Sequence, residues 1–239
     1  MSESTPHFAP IVVLLLLGSV LLTGISVLVF LYGAVRRSNL ILRIAGAAIL
    51  TVVGGYLFLL GGVSLASSEK TLPPGASKYF CEIDCHIAYS VEGMQTASAL
   101  GPELQPTVAR GQFMIIRLKS WFDENSISPD RGDGPLTPNR RGLVLIDSNG
   151  NHYCVSAAGQ AALWRLENSS TPLTMPLRPG QSYTTDLVFD VGKDSRGLRL
   201  LLTEDDPESR LVIGHENSFL HKKIYFGLDS VALLSGTAR

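Results

Sequence analysis

Charge is the first thing this sequence lacks. No charged side chain occurs from Phe8 to Val35, and none from Ile44 to Ser68. A bilayer core takes about 20 apolar residues in helical form. Both stretches exceed that length and are too long for a helix buried in a soluble core. They predict two transmembrane helices, 8–35 and 44–68. A basic head is also missing: the segment before the first run, MSESTPH, holds Glu3 and no Lys or Arg. The run itself is longer than the roughly 7–15 residues of a signal-peptide core. Two retained spans are therefore expected rather than a cleaved leader.

Around the two spans basic residues are scarce except at one place. The connection RRSNLILR, residues 36–43, carries Arg36, Arg37 and Arg43, whereas the tail 1–7 has none and the stretch just after the second span offers only Lys70. Short cytoplasmic loops hold the Lys/Arg excess. The reading is a two-pass protein of the inner or plasma membrane. Loop 36–43 is cytoplasmic, and both the N-terminus and the C-terminal domain lie on the periplasmic or extracellular side.

Further absences narrow the function. Lys and Arg total 20 against 21 Asp and Glu, a net charge of −1, so no basic surplus points to nucleic acid. Neither span contains an ionisable residue, which leaves no proton or ion relay. There is no Gly-rich phosphate loop, no nucleophile elbow and no pair of catalytic carboxylates. No enzyme and no small-molecule substrate is expected. The expected partners are the lipid bilayer and a membrane or periplasmic protein.

What is present begins with small residues. Ala47, Thr51 and Gly55 recur every fourth position in the second span, a spacing that lets helices approach closely. Their expected partner is the first helix, with Gly18, Gly24 and Gly33. Residues 69–78 read as a linker, with two prolines and a glycine to stop any continuing helix. Residues 79–229 then read as a folded domain, and 230–239 as a tail.

The domain is strand-like. Cys85, Ile87, Tyr89 and Val91 alternate with His86, Ala88, Ser90 and Glu92, the period of a strand. Phe113–Trp121 predicts a second strand, and 123–142 a long polar loop. Leu143–Ile146 and Tyr153–Val155 predict a hairpin around Ser-Asn-Gly. AAGQAALWRL suits either a short helix or a strand. Tyr183, Thr185, Leu187, Phe189 and Val191 form one face of a further strand, and LRLLLTEDD, RLVIG and FLHKKIYFGL complete the set. Seven or eight short strands with turns between them predict an antiparallel β-sandwich.

Asp147, Gly150 and Tyr153, then Leu177, Pro179 and Gly180, then Val188, Phe189, Asp190 and Val191 follow a pattern that resembles the telokin-like, immunoglobulin-like domains of bacterial secreted and membrane-anchored proteins. The resemblance covers about residues 108–203. It implies an immunoglobulin-like sandwich and carries no catalytic signature.

Cysteine is scarce too: Cys81, Cys85 and Cys154 are all there is. Outside the cytosol disulfides persist, and all three are candidates. Cys81 and Cys85 can join only if the chain turns between them, because four residues of strand span about 13 Å and the Cα atoms must approach to about 4.4–6.8 Å. Alternatively one of them meets Cys154. The competing reading is a metal site drawn from Cys81, Cys85, His86, Cys154, His215 and His221, with copper or haem as the cofactor of a respiratory-complex accessory protein. Two anchor helices before an external β-domain also resemble cytochrome c oxidase subunit II, whose C-x-x-x-C would correspond to Cys81 and Cys85. Position 89 is Tyr where that family has a histidine, no histidine lies between Ser68 and Cys85, and the cysteines open the domain rather than close it. Haem attachment wants C-x-x-C-H, one residue shorter than this spacing. With no cofactor as the principal reading, the expectation is a non-catalytic binding module or accessory subunit. Its loops 123–142 and 211–223 are the candidate recognition surfaces.

Overall fold

A computed structural model describes residues 9–82, 86–128, 130–166, 170–229 and 231. Cys85, the tail 1–7 and the tail 230–239 apart from Val231 lie outside the described residues. The chain divides into two compact units. One holds Lys70–Asp205 and the strand from Ile224. The other holds the two long helices with Asp206–Lys223.

The helices are α1, Ala9–Val35, and α2, Asn39–Ala66. Both are long and apolar enough to cross a membrane. They form an antiparallel hairpin closed at Arg36–Ser38, where Arg37 takes a left-handed conformation (φ 53°) and Ser38 N donates to Gly33 O. Gly33 is needed at the join: a Cβ there would lie 2.8 Å from Ile41 Cγ2. The expected seam is displaced. Ala47, Thr51 and Gly55 are exposed, and the residues of α2 that are buried are Ala45, Leu60 and Ser64. No atom lies within 4 Å of a Cβ placed at Gly18, Gly24 or Gly55, so of the named small residues only Gly33 serves a close approach.

The other unit is a β-sandwich of two sheets. In sheet order, the first holds β1 (Lys70–Leu72), β9 (Ile224–Gly227), β8 (Arg199–Glu204), β5 (Arg141–Ile146) and β6 (His152–Cys154); the second holds β2 (Lys78–Cys81), β3 (His86–Leu100), β4 (Thr107–Asp123) and β7 (Ser182–Val191). Alternation puts Phe80, Ile87, Tyr89, Val91, Ile116, Leu118 and Phe189 of one sheet against Leu145, Leu200, Leu202 and Phe226 of the other in a single buried core.

The fold departs from an all-β antiparallel sandwich in two ways. β1 pairs with β9 in parallel, and it lies in the segment expected as a linker. β2 also begins one residue inside that segment, at Lys78. AAGQAALWRL is a helix, α3 (Ala157–Leu166), not a strand. Ser156 caps it by accepting from Gly159 N, as N-cap serines do. α3 packs Ala162 and Leu163 on the outer face of the second sheet, against Phe113, Ile115 and Val188. Its Gln160 donates to Asp186 O and accepts from Val188 N. This satisfies the free edge of β7, which would otherwise offer unpaired backbone groups.

RLVIG is not a strand. Pro207–Leu211 is a 3₁₀ helix, and 212–223 continues as turns until β9 begins at Ile224. This segment leaves the sandwich after β8 and belongs with the helices.

Candidate functional site

Two features of the sandwich carry polar chemistry: an ionic cluster inside it and a cleft on its outer surface.

The cluster follows from strand alternation. Lys78, Phe80 and Glu82 occupy every second position of the β2 segment, and Phe80 belongs to the core between the sheets. Lys78 is fully buried. Its Nζ donates to Leu202 O at 2.6 Å and Ile224 O at 3.0 Å, bridging from the second sheet to the first. From the opposite sheet, the fully buried Arg141 side chain forms an ion pair with Glu82. Its Nε donates to Tyr89 Oη at 3.3 Å, and its Nη1 stands 3.7 Å from Glu204 Oε1. Phe80 sits between the two cations, its ring centroid 5.3 Å from Lys78 Nζ and 4.3 Å from the Arg141 guanidinium carbon. Two cations and two carboxylates leave the cluster with no net formal charge, which a low-dielectric interior requires.

Burial pushes the Glu82 carboxyl above its ordinary range, against the pull of Arg141 and the Asn139 amide. Burial also pushes up the Tyr89 phenol, with Arg141 opposing. For Arg141 burial alone would act downward, but Tyr89, Glu82 and Glu204 hold the guanidinium above its usual value. The arrangement fastens the sheets together and presents no group to solvent for chemistry.

The cleft lies on the outer face of the second sheet. It encloses about 700 Å³ and is lined by Ala88, Ser90, Glu92, Lys119 and Trp121, with Pro74, Gly75 and Ser77 along one side. That volume lies within the range of small-ligand and anchor-residue pockets. Lys119 Nζ is 3.7 Å from Glu92 Oε1, both side chains half-exposed. A second cleft of about 710 Å³ lies beside the start of α3, lined by Arg110, Phe113, Cys154, Asp190 and Lys193. No histidine lines either cleft among the described residues.

The sequence-derived site residues fall as follows. Cys81 pairs directly with His86 across β2 and β3, so the chain reverses between them and both side chains lie on the outer face. Tyr79 and His86 also meet edge to face, centroids 6.5 Å apart. Cys154 is an exposed free thiol on β6, so Cys81 and Cys154 are not joined, and the alternatives through Cys85 fall outside the described residues. The reason is placement: Cys81 is on the second sheet and Cys154 on the edge of the first. His215 Nδ1 accepts from Asn217 N, and His221 Nδ1 is 2.7 Å from Lys222 O. Among the described residues, no three of His, Cys, Asp and Glu come together as metal ligands do.

Loop 123–142 is pinned rather than free. The Arg131 guanidinium packs over the Phe122 ring at 4.8 Å, Leu136 forms a β-bridge with Leu177, and Asn139 N donates to Glu82. The ionic cluster went unrecognised in the sequence because Lys78 and Glu82 each read as surface. The available signal was their period-two spacing around Phe80.

No protein-family model matches the chain, and no curated protein matches it. Among solved structures it is similar to a secreted protein from Mycobacterium tuberculosis, at 14% identity over 69% of this chain and 99% of that one, TM-score 0.41. A conserved hypothetical protein from Bacillus anthracis shares 14% identity over 54% of this chain and 87% of that one, TM-score 0.39. An uncharacterized beta-sandwich protein from Clostridium difficile shares 8% over 67% and 96%, TM-score 0.37. The β-sandwich itself follows from the two sheets and the core they enclose. The residues that resemble the telokin-like pattern serve that sandwich at its turns: Asp147 anchors the β5–β6 turn, and Gly150 and Gly180 supply positive φ of 81° and 77°.

Proposed function

We propose that this chain is a two-pass membrane protein presenting its sandwich on the periplasmic or extracellular side, where it acts as a non-catalytic binding module or accessory subunit of a membrane protein complex. The observation that carries this reading is the outer-face cleft. Trp121 lines it, tryptophan is the residue type most enriched at binding hot spots, and a half-exposed Lys119–Glu92 pair supplies a polar rim of the kind seen around such anchors. Two apolar helices of bilayer length, with the arginines of the short loop as the cytoplasmic signal, support the topology.

The test is purification of the tagged full chain from its native membranes in mild detergent, beside Trp121→Ala. The reading expects a membrane or periplasmic protein in fixed proportion to the chain, lost with Trp121→Ala while the melting temperature stays unchanged. A partner that remains in the same proportion with Trp121→Ala, or a chain that purifies alone, overturns it.

A further inference from the structure

The segment Asp206–Lys223 interrupts the strand sequence and docks along α2. We infer that it is an interfacial membrane loop, seated in the outer leaflet of the bilayer beside α2, with Phe219 and Leu220 turned to lipid. The inference rests on the membrane-spanning reading of α1 and α2.

Two tethers set its position. Tyr56 Oη donates to Leu211 O at 2.6 Å, and Lys222 N donates to Ser67 Oγ at 2.8 Å. Between them Gly214 lies against Val63. Tyr56 and Ser67 are about 16 Å apart along the helix axis at 1.5 Å per residue. A hydrocarbon core of about 30 Å takes about 20 helical residues. Counted from between Asn39 and Ile44, it ends between residues 58 and 63. Tyr56 then lies just inside the outer boundary and Ser67 just outside it. The loop straddles the interface, where tyrosine is favoured.

Irregular backbone at that depth must satisfy its own polar groups, because hydrocarbon offers no partners. Much of this loop is closed by such bonds. Backbone bonds run from Ser209 N to Asp206 O, Val212 N to Ser209 O, His215 N to Val212 O, Ser218 N to His215 O and His221 N to Ser218 O, with Phe219 N to Arg210 O closing the loop across. Side chains add more: Asn217 Nδ2 donates to Ser209 Oγ, Ser218 Oγ to Val212 O, and Lys223 Nζ to Glu216 O.

The surface it leaves outward is apolar where lipid would be. Leu211, Phe219 and Leu220 are 41%, 54% and 67% exposed, and Leu220 is held at a positive φ of 65°. Arg210 and Lys222 are exposed beside them, placed for lipid phosphates, their long stems able to reach up from an apolar base.

The test places a new tryptophan at Phe219, at Leu220 and, as a marker of the span, at the exposed helix residue Phe58. Each full-length variant is reconstituted in phosphatidylcholine–phosphatidylglycerol vesicles, with and without acyl-chain bromine. Emission beyond that of native Trp121 and Trp164 is compared. The expected result is that Phe58→Trp and Phe219→Trp both lose most of their added emission. Bromine near the headgroup end of the chain should quench Phe219→Trp more than bromine at mid-chain. Quenching of Phe58→Trp with neither Phe219→Trp nor Leu220→Trp quenched overturns the loop inference alone. If Phe58→Trp is not quenched, the spanning reading fails and the inference falls with it.

Discussion

Lys78 Nζ lies 2.6 Å from the carbonyl oxygen of Leu202 and 3.0 Å from that of Ile224. One side chain from β2 thereby meets two backbone acceptors of the opposite sheet, in the middle of a core where water is excluded. A buried acceptor that loses its donor costs about 1–3 kcal/mol. Lys78→Met keeps the stem and removes the donor from both carbonyls. It should lower the melting temperature of the detergent-solubilised chain well beyond the change made by an exposed substitution such as Lys193→Met. Equal melting temperatures for the two variants would show that the bridge contributes nothing.

Arg141 tests the same cluster from the other sheet. Removing one partner of a buried ion pair leaves the other charge uncompensated, which costs about 3–5 kcal/mol. Arg141→Met should be among the most damaging single changes in the sandwich. Arg141→Met combined with Glu82→Gln removes the stranded carboxylate, so the double variant should be more stable than Arg141→Met alone. Strict additivity of the two changes would mean that Glu82 and Arg141 do not act as a pair.

Asp147 gives a pH dependence of known sign. Its Oδ1 accepts from Asn149 N and Asn151 N, and its Oδ2 from Asn151 Nδ2 and Tyr153 Oη. These bonds, the Asn151 side chain first, hold its carboxyl below the ordinary value of 3.8. A carboxyl depressed in the folded state binds fewer protons there than in the unfolded chain. Its stabilisation is therefore complete above the unfolded pKa and fades as pH falls through the folded one. Asp147→Asn should be less stable than the parent at pH 7, and the gap should shrink below about pH 4, near the ordinary carboxylate value. A gap independent of pH between 2 and 7, followed by thermal melts in matched buffers, would assign the effect to shape rather than charge.

Cys154 is an exposed thiol on an edge strand. Exposed thiols react where buried ones are inert. The folded chain should take up a maleimide at this position without denaturant, and Cys154→Ser should abolish that fast labelling while leaving the melting temperature in place. Labelling that appears only after reduction would mean that Cys154 is held in a disulfide.

The sandwich was legible because burial acts on period: Ile87, Tyr89 and Val91, or Leu187, Phe189 and Val191, alternate and all reach the core. The two long helices were legible because each uncharged apolar run is long enough for a helix of bilayer length. Three things were hidden, each for a physical reason. Lys78 and Glu82 point inward to partners that lie 59 or more residues away in sequence, the Leu202 and Ile224 carbonyls for Lys78 and Arg141 for Glu82. β1 is three residues long and gains its place only by parallel pairing with β9. Leu211–Gly214 and Phe219–Leu220 carry the composition of strands, but their backbone bonds close locally, and Leu211, Phe219 and Leu220 remain exposed. Composition alone does not distinguish an apolar segment facing a core from one facing lipid.

Gly111 marks the tightest backbone approach in the sandwich. A Cβ built there would lie 2.1 Å from Val191 O and 3.0 Å from Val191 C, distances that no rotation of a side chain can relieve, because both atoms are backbone. The same stretch is fastened by Asp190, whose carboxylate accepts from Arg110 N at 3.0 Å and Gly111 N at 3.1 Å. Gly111→Ala must therefore push β4 away from β7 at the Gln112–Val191 pair and pull both donors from Asp190. Overpacking of this kind costs about 1–3 kcal/mol, and the broken bonds add to it. Gly134→Ala is the matched control, since nothing lies within 4 Å of a Cβ there. Gly111→Ala should melt at a lower temperature than Gly134→Ala, and amide exchange should quicken at residues 110–112 and 190–192 before it does at Leu118 or Leu187. Equal melting of the two variants, with exchange at Gly111 unchanged, would mean that β4 and β7 stand farther apart at this end than described.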